Sequence, residues 1–433
     1  MKKLITTGLL TSMTLFLFAQ DINTIINAKE VERIETILSS DAMQGRRVFT
    51  PGIEKAEAFI ENEFSNIGLQ KLNNSDSYLQ NFTMIKPKFI SVNATINQQS
   101  FDPKSVIVVT SKTDLSINET SGFEKVFIKA GSNLIMEAMK YTEAQKNYLV
   151  VVDTSFAKNF SRLIYFKRSI FKSDVSVVFV LSNINPATYS INAKHEITES
   201  TLSNIVGVIP GKSLKNEYVI FSGHYDHLGV GSPREGYPHD NKDSIYNGAN
   251  DDAAGTTAVI TLARYFKALN NNERTLIFVA FTAEEIGEYG SQYFAKQFDP
   301  GQVKAMFNIE MIGTESKWGR GSAYITGFDK TDMGKILQQN LEGSSFQFYA
   351  DPYTDQHLFY RSDNASLARV GVPAHTISTS KMDNELNYHK VTDEIGTLDM
   401  NNMAEIIKAI AISSKTIISG KDTPTRVDAA TLD

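Results

Sequence analysis

Cysteine is absent from this chain of 433 residues. Its absence excludes disulfide bonds, and it also excludes every metal site that is built from thiolates. A metal ion bound by this protein must therefore be held by His, Asp and Glu side chains.

An excess of positive charge is also missing. Lys and Arg number 43 against 49 Asp and Glu, which gives a formal net charge of −6. A surface that binds nucleic-acid phosphates needs clustered basic residues, so the composition predicts no nucleic-acid partner. The chain also lacks fixed-period repeats and low-complexity tracts, which excludes repeat architectures.

A hydrophobic run occurs at the N-terminus, where Lys2 and Lys3 precede apolar residues 4–18 and the small residue Ala19. This pattern predicts a secretory signal peptide over residues 1–20. The run is shorter than the roughly 20 apolar residues of a comfortable membrane span, although an uncleaved anchor is the alternative. We therefore expect a secreted or periplasmic protein with no stable membrane insertion after cleavage.

The rest of the chain is too long for one small core and predicts two folded units. Two amphipathic helices are predicted early, one over residues 28–42 and one after a turn at Pro51 and Gly52, closed by Gly68. Residues 86–199 carry short β-rich runs, a helix near 134–139 and a single histidine, His195, which we expect to be solvated. The predicted organisation is a discontinuous domain of residues 21–85 and 200–420, an inserted β-containing domain of residues 86–199, and a C-terminal tail of residues 421–433.

After residue 204, apolar runs typical of buried strands alternate with amphipathic helices. Such alternation predicts an α/β fold with a mixed, mostly parallel sheet and helices on both of its faces. The predicted strands are 205–209, 218–222, 275–282, 305–311, 323–326 and 375–379, and the predicted helices are 254–269, 332–341, 400–414 and one after Glu284 and Glu285.

Candidate metal ligands lie at or just beyond the ends of three predicted strands, where open α/β sheets place their chemistry. They are completed by one residue on a connecting loop and one on a late loop. The set is His224, Asp251, Glu285, Glu310 and His389. Two imidazoles and three carboxylates suit two zinc ions that share a bridging carboxylate, each with room for water or substrate.

Two further carboxylates have candidate roles beside these ligands. Glu284 is adjacent to a ligand but is not needed as one, so it is the natural general base. Asp226, two residues after His224, fits a carboxylate that orients the imidazole of that histidine.

Each candidate also has an ordinary structural explanation. His224 could be satisfied by the backbone at a strand end, and Asp252 could cap a helix N-terminus. Glu284 and Glu285 could be acids in the first turn of a helix, favoured by its dipole. Glu310 is harder to explain in this way, because an unpaired carboxylate in an apolar strand is costly. Taken together, the ordered set favours a metal site.

Five segments, in order and approximate spacing, resemble the motifs of the secreted co-catalytic di-zinc aminopeptidases of metallopeptidase family 28. These segments are GHYDHLG, GANDDAAG, TAEEIGEYGS, FNIEMIG and NYHKVTD. Residues 34–69 also resemble the N-terminal helices of secreted bacterial members. The family includes glutamate carboxypeptidase II, the non-catalytic transferrin receptor and, more distantly, glutaminyl cyclases.

The resemblance implies a zinc-aminopeptidase fold and a set of roles for this chain's residues. It implies that His224 and Glu310 hold one zinc with bridging Asp251, while Glu285 and His389 hold the other. It also implies that Glu284 is the base.

The resemblance further implies that Tyr388 steadies the oxyanion and that Ser362 and Asp363 line the substrate pocket. Glu310 stands where many members have Asp, and the insert lies where relatives carry a protease-associated domain. Four other histidines match no ligand position. They are His227, His239, His357 and His375, of which the first two are expected to be solvated loop residues near the mouth of the site.

The predicted function is that of a zinc-dependent exopeptidase, an aminopeptidase that hydrolyses N-terminal residues of peptides. Alternatives within the family are a carboxypeptidase or a dipeptidase, a glutaminyl cyclase, and a non-catalytic receptor-like protein. A carboxypeptidase would need a basic pocket for a terminal carboxylate, for which Arg320, Arg361 and Arg369 are candidates.

Overall fold

The computed structural model describes residues 21–231 and 243–432. The predicted signal peptide and His239 lie outside these ranges. Among the residues described, no helix combines the length and the apolarity that crossing a membrane requires.

Ten α-helices are found in the described ranges. They are α1 Ile22–Ile25, α2 Ala28–Leu38, α3 Pro51–Ile67, α4 Leu134–Glu143, α5 Ala254–Leu269, α6 Tyr289–Ala295, α7 Met333–Asn340, α8 Asn364–Ala368, α9 Met400–Ser413 and α10 Lys415–Ile418.

Eighteen strands occur in the same ranges, several of them only two residues long. They are β1 Gln70–Lys71, β2 Leu79–Ile96, β3 Gln99–Phe101, β4 Val106–Val109, β5 Asp114–Asn118, β6 Glu124–Ile128, β7 Tyr148–Val152, β8 Ile170–Phe171, β9 Val177–Leu181, β10 Tyr189–Ile209, β11 Leu214–His224, β12 Gly229–Val230, β13 Ile245–Tyr246, β14 Arg274–Phe281, β15 Val303–Ile309, β16 Ser322–Ile325, β17 Gln347–Ala350 and β18 Ala374–Ser378.

The chain divides into two compact units, and Gln80–Ser203 forms one of them as a single stretch. The other unit comprises the described residues on either side. Its sheet has the strand order β17-β16-β18-β15-β11-β14-β10. Strands β14, β11, β15 and β18 are parallel neighbours. Strands β10 and β16 flank this group and run antiparallel to β14 and β18, respectively. The predicted mixed, mostly parallel sheet is confirmed.

Helices cover both faces of this sheet, as predicted. Consecutive residues of β11 point to opposite faces, so Phe221 belongs to the core that contains residues of α2, α3, α5 and α9, while Ile220 belongs to the core that contains residues of α6 and α8. Buried strand residues on both faces are typical of a parallel sheet between two helical layers.

Four phenylalanine rings set the register of the central strands. Phe221 of β11 is paired with Phe278 of β14 and Phe307 of β15, with ring centroids 5.5 Å and 4.9 Å away. Phe266 of α5 stacks on Phe221 at 5.3 Å. Because large rings contribute much of a core's packing energy, this stack determines which residues reach the carboxyl ends of the three strands together.

The unit Gln80–Ser203 has its own cores. A four-stranded sheet in the order β4-β9-β7-β6 carries apolar residues on both faces, and α4 packs on one of them. The predicted insert, residues 86–199, lies within this unit, and its folding as a separate domain stays a prediction.

Two predicted boundaries are wrong in informative ways. The second early helix begins at Pro51 itself, because proline is well accommodated in a first helical turn. The strand expected to carry Glu310 ends at Ile309. The helix expected after Glu284 and Glu285 begins at Tyr289, since Gly287 and Glu288 have φ angles of 130° and 57°.

In the unit that contains the mostly parallel sheet, a buried arginine joins the N-terminal segment to the loops beyond the carboxyl ends of the strands. The guanidinium of Arg46 donates to the backbone carbonyls of Leu38, Tyr225, Asn247 and Gly248 at 2.6–2.9 Å. Two of these carbonyls belong to the segment before α5 and one to the segment after β11. Arg46 therefore fixes both segments against α2.

Arg46→Met keeps a long side chain but removes all four of these donors. We expect the free energy of unfolding to fall by about 3–5 kcal/mol, because buried carbonyls lose their partners. Denaturant unfolding of the purified variant measures the change. Arg47→Met, at an exposed neighbouring position, is the matched control and should cost less than about 0.5 kcal/mol. Equal losses for the two variants would contradict the structural role of Arg46.

His375 on β18 is buried and held in its neutral form. Its Nδ1 donates to the Thr326 carbonyl, and its Nε2 accepts from the Thr331 hydroxyl, each at 2.8 Å. Burial lowers the pKa of His375 to about 4, against the opposing effect of the Thr326 carbonyl. The unfolded chain, with a histidine pKa of about 6.5, binds one more proton in the interval between these values.

Stability should therefore decrease as the pH falls below about 6.5, by about 2 kcal/mol at about pH 5 from this group. His375→Gln removes the titrating ring, so its free energy of unfolding should decrease less over the same interval. Denaturant unfolding at neutral pH and at about pH 5 tests this, with exposed His357→Gln as the control. Identical pH dependence in His375→Gln and the wild type would contradict it.

Candidate metal centre

The carboxyl ends of three neighbouring parallel strands bring acidic and imidazole side chains to one edge of the sheet. His224 is the last residue of β11, and Glu310 directly follows β15. Glu284 and Glu285 lie in the turn after β14. Because β11 pairs with both β14 and β15, the register of the central strands brings these side chains together.

Asp251 stands between two groups of candidate ligands. One carboxylate oxygen, Oδ1, lies 3.3 Å from Nε2 of His224, and ligand atoms of His224, Asp251 and Glu310 fall within 4.8 Å of one another. The other oxygen, Oδ2, lies 3.1 Å from Nε2 of His389, which is also 3.2 Å from Oε1 of Glu285. The two oxygens of Asp251 thus face two different imidazoles.

These donors fit zinc, which takes imidazole nitrogen and carboxylate oxygen. Nε2 of His224 is buried and makes no hydrogen bond within residues 21–231 and 243–432. Burial lowers the pKa of His389, but the Asp251 and Glu285 carboxylates outweigh it and raise that pKa to about 11. The same electrostatic environment favours a bound cation.

The imidazole of His224 has a defined tautomer. Its Nδ1 lies 3.1 Å from the backbone carbonyl of Asp226. A carbonyl oxygen only accepts hydrogen bonds, so Nδ1 carries the proton. The lone pair of Nε2 is therefore available at the side that faces Asp251.

Asp226 differs from its predicted role. Its carboxylate is 3.8 Å from Nδ1 of His224, which is too far for a hydrogen bond. Instead, it accepts from the backbone N–H groups of Glu284 and Glu285, at 3.0 Å and 3.3 Å. The backbone of residue 226 orients the imidazole, and its side chain positions the turn that carries the two glutamates.

Glu284 keeps access to solvent, with 13% of its side chain exposed. Its Oε2 lies 3.9 Å from Nε2 of His224. Burial raises the pKa of Glu284 well above its usual value, His224 opposes the shift, and the neighbouring carboxylates Glu285 and Glu310 add to it. A raised pKa suits a group that must accept a proton and then release it.

Two aspartates that position the site were missed as such in the sequence. Asp252 accepts from the backbone N–H groups of His224 at 3.1 Å, Gly255 at 2.9 Å and Met311 at 3.0 Å. It thereby ties the ends of β11 and β15 to the start of α5. The doubled aspartate of GANDDAAG is the signal in the sequence, and it predicts helix capping but not these contacts to β11 and β15.

Asp393 supports the bridging residue from the late loop. Its carboxylate accepts from the backbone N–H groups of Asn250 at 2.8 Å and Asp251 at 3.0 Å. It lies four residues after His389, so one loop supplies a ligand for the site and a support for Asp251. This contact could not be predicted from the sequence, because 142 positions separate Asp393 from Asp251.

The prediction that His227 is solvated is wrong. The residue is 1% exposed, and its Nδ1 lies 2.8 Å from Oε1 of Glu285. Ligand atoms of His227, Asp251 and Glu285 lie within 4.8 Å of one another. The structure therefore brings a third imidazole into the candidate metal centre.

The remaining histidines lie elsewhere or outside the described residues. His195 was expected to be solvated but is buried within β10. His357 is exposed, and His375 is bonded within the core as described above. His239 lies outside the described residues.

A pocket opens beside Glu310 and contains two of the predicted residues, Tyr388 and Ser362. The Tyr388 ring stacks on His389, with centroids 3.9 Å apart. Asp363 is fully buried and is not among the residues that line the cavity. Further lining residues are Tyr324, Leu358, Arg361 and Met382.

Comparison with known structures shows the same fold at low sequence identity. An aminopeptidase from Aneurinibacillus sp. strain AM-1 matches with a TM-score of 0.53 and 16% identity, over 95% of this chain and 99% of that one. A zinc aminopeptidase from Bacillus subtilis matches with a TM-score of 0.54 and 16% identity, over 91% and 95% of the two chains.

Curated sequences are similar over part of the chain. Aminopeptidase YwaD of Bacillus subtilis is 29% identical over 154 residues, which are 34% of this chain and 29% of that protein. Leucine aminopeptidase 1 of Aspergillus niger is 28% identical over 214 residues, 47% of this chain and 52% of that protein. The match thus spans about half of the length of these relatives, or less.

The model of peptidase family M28 matches residues 204–413. This range contains all the candidate ligands, and it agrees with the motifs, the strand-end geometry and the fold. The chain therefore carries a domain of peptidase family M28, at residues 204–413.

Proposed function

We propose that this protein is a zinc-dependent aminopeptidase that hydrolyses N-terminal residues of peptides. The observation that carries the proposal is Asp251, whose two carboxylate oxygens face separate imidazoles, with Glu284 beside them. Support also comes from the family M28 domain and from the names of its relatives, which include zinc aminopeptidases.

The proposed centre would hold two zinc ions. His224, Glu310 and Asp251 would hold one ion, and Glu285, His389 and Asp251 would hold the other. Zinc ions in these positions would lower the pKa of a bound water and polarise the scissile carbonyl.

The chain's own residues perform the proton transfers. Glu284 takes a proton from the attacking water and delivers it to the nitrogen of the leaving amine. Asp226 holds Glu284 in place through the backbone N–H of that residue. Tyr388 donates a hydrogen bond to the developing oxyanion, since burial raises the pKa of its phenol and keeps it protonated.

Two parts of the proposal rest on other features. Secretion or export to the periplasm rests on the charge and apolar pattern of residues 1–20. Peptide recognition rests on the cavity, which Ser362 and Glu310 both line and where Ser362 accepts from the Asn308 amide at 2.7 Å.

A carboxypeptidase is the second candidate, and Arg361 is the observation that favours it. Of the three arginines that are candidates for binding a terminal carboxylate, Arg361 lines the cavity. Arg320 pairs with Asp399, and Arg369 lies 3.9 Å from Glu288. A cationic group at the cavity could bind a terminal carboxylate.

Hydrolysis of aminoacyl reporters, beside N-blocked peptides and peptides without a free carboxylate, separates the two candidates. An aminopeptidase cleaves the aminoacyl reporters and the carboxyl-free peptides, but not the N-blocked ones. Cleavage of N-blocked peptides from their carboxyl end would replace the proposal with the second candidate. Absence of all hydrolysis by zinc-loaded protein would contradict both.

Glu284→Gln tests the general base. The variant keeps all five proposed ligands, so zinc content should be unchanged while kcat falls by about 10²–10⁴-fold. Steady-state kinetics with metal analysis measures both quantities. Glu342→Gln, at an exposed position, is the matched control and should keep wild-type kcat. Near-normal kcat at full zinc occupancy would remove Glu284 from the mechanism.

Glu310→Ala tests the two-ion assignment. The variant should lose about one of two zinc ions per chain and most of the activity, because the other position keeps Glu285, His389 and Asp251. Glu310→Asp should retain part of both. Metal analysis after gel filtration gives the ratio of zinc to protein, and Glu342→Ala should bind as the wild type does. Two tightly held ions in Glu310→Ala would mean that Glu310 is no ligand.

A further inference from the structure

His227 has a polar ring in a buried position. Neither ring nitrogen has a hydrogen-bond partner within the described part of the chain. The backbone N–H of the residue donates to the carbonyl of Arg46 at 3.2 Å, which fixes the position of the backbone that carries the ring. The side chain points at the carboxylates of Glu285 and Asp251, at 2.8 Å and 3.9 Å from Nδ1.

The fold makes room for this ring at one glycine. A Cβ atom on Gly248 would lie 2.5 Å from Cγ and Cδ2 of His227, closer than any side chain tolerates. Gly248 also has a φ of +56°, in the left-handed region that glycine adopts readily. The ring is therefore confined between Gly248 and the carboxylates.

The contact with Glu285 is short, but it lacks the alignment of a hydrogen bond. At 2.8 Å, Nδ1 and Oε1 are near each other without a ring N–H direction that points at the oxygen. Two ligands of one metal ion have this relation, since both lone pairs point at the ion and not at each other.

The spacing of the two imidazoles beside Glu285 agrees with a shared ion. The rings of His227 and His389 have centroids 5.8 Å apart, inclined at 63°. Rings that bind one zinc through bonds of about 2.0–2.1 Å have centroids about 5–6 Å apart. Both rings also lie at the same pair of carboxylates, Asp251 and Glu285.

We propose that His227 is an additional ligand of the metal position formed by Asp251, Glu285 and His389. This inference rests on the proposed function for the presence of the metal. The position then has two imidazoles and two carboxylates, whereas the position of His224, Glu310 and Asp251 has one imidazole.

The two positions should therefore differ in how strongly they hold zinc. Imidazole suits zinc, while carboxylate oxygen suits Mg²⁺, Ca²⁺ and Mn²⁺ as well. A chelator should remove zinc first from the position with one imidazole and later from the position that contains His227. Loss of His227 should bring the two steps together.

The test uses the full-length protein, stripped of metal and titrated with zinc against a competing chelator. We expect His227→Ala to weaken the tighter of two zinc sites by at least about 10–100-fold. Cobalt(II) titration gives a second readout, because its visible absorption reports the number of ligands. The spectrum of the tighter site should change in His227→Ala. The control is His195→Ala, which removes another buried histidine whose ring nitrogens lack partners within the described residues.

His227→Gln separates a ligand from a positioning residue. Its amide can donate a hydrogen bond to Glu285 but is a poor zinc ligand, so we expect it to behave as His227→Ala does. Full recovery of zinc affinity and of the cobalt spectrum in His227→Gln would overturn the proposal in favour of a positioning residue. Circular dichroism and thermal unfolding of the metal-free variants confirm that both are folded.

Failure of this inference can be told from failure of the proposed function. A wild-type protein that binds no zinc would overturn the proposed function and the inference with it. A wild type that binds two zinc ions, with unchanged affinities in both His227 variants, would overturn the role of His227 alone. The proposal is supported when both variants weaken the tighter site and His195→Ala does not.

Discussion

The main constraint on this structure is that several carboxylates are buried together at one edge of the sheet, where their charges repel one another. Asp251, Glu285 and Glu310 converge there with Glu284, and burial raises the pKa of Glu284 and of Glu310. Carboxylates in such a place must protonate or acquire a cation. A bound metal would remove the conflict, so the charge arrangement itself suits this edge of the fold to a bound cation.

Holding that arrangement requires a rigid frame, and the frame comes from backbone contacts. Asp226, Asp252 and Asp393 each accept from backbone N–H groups of the segments that carry ligands. Arg46 does the converse by donating to carbonyls of the same segments. Together these side chains fix the loops through backbone N–H and carbonyl groups, so the ligands are positioned by the backbone of the segments that carry them.

Much of this could be predicted from sequence, because its signals are local. Strand ends, motif spacing and apolar periodicity placed His224, Asp251, Glu285 and Glu310 on one sheet, and the structure brings them together. Long-range partners could not be predicted in this way. Arg46 lies 179 positions from Tyr225, and nothing near it in the chain marks it as buried.

His227 shows why burial is harder to predict than motif position. It follows Asp226 in a polar segment, and a histidine in such a segment is usually exposed. Two residues outside this segment determine its environment. Gly248 leaves space for the ring because it has no Cβ atom, and the carbonyl of Arg46 accepts a hydrogen bond from the backbone of His227. The same strand-to-loop segment thus contributes ligand atoms from His224 to one group and from His227 to the other. The second histidine lies three positions after the first, beyond the end of β11, and its backbone is held by the carbonyl of Arg46. The position of the backbone after β11, and not the motif alone, therefore decides where the second imidazole lies.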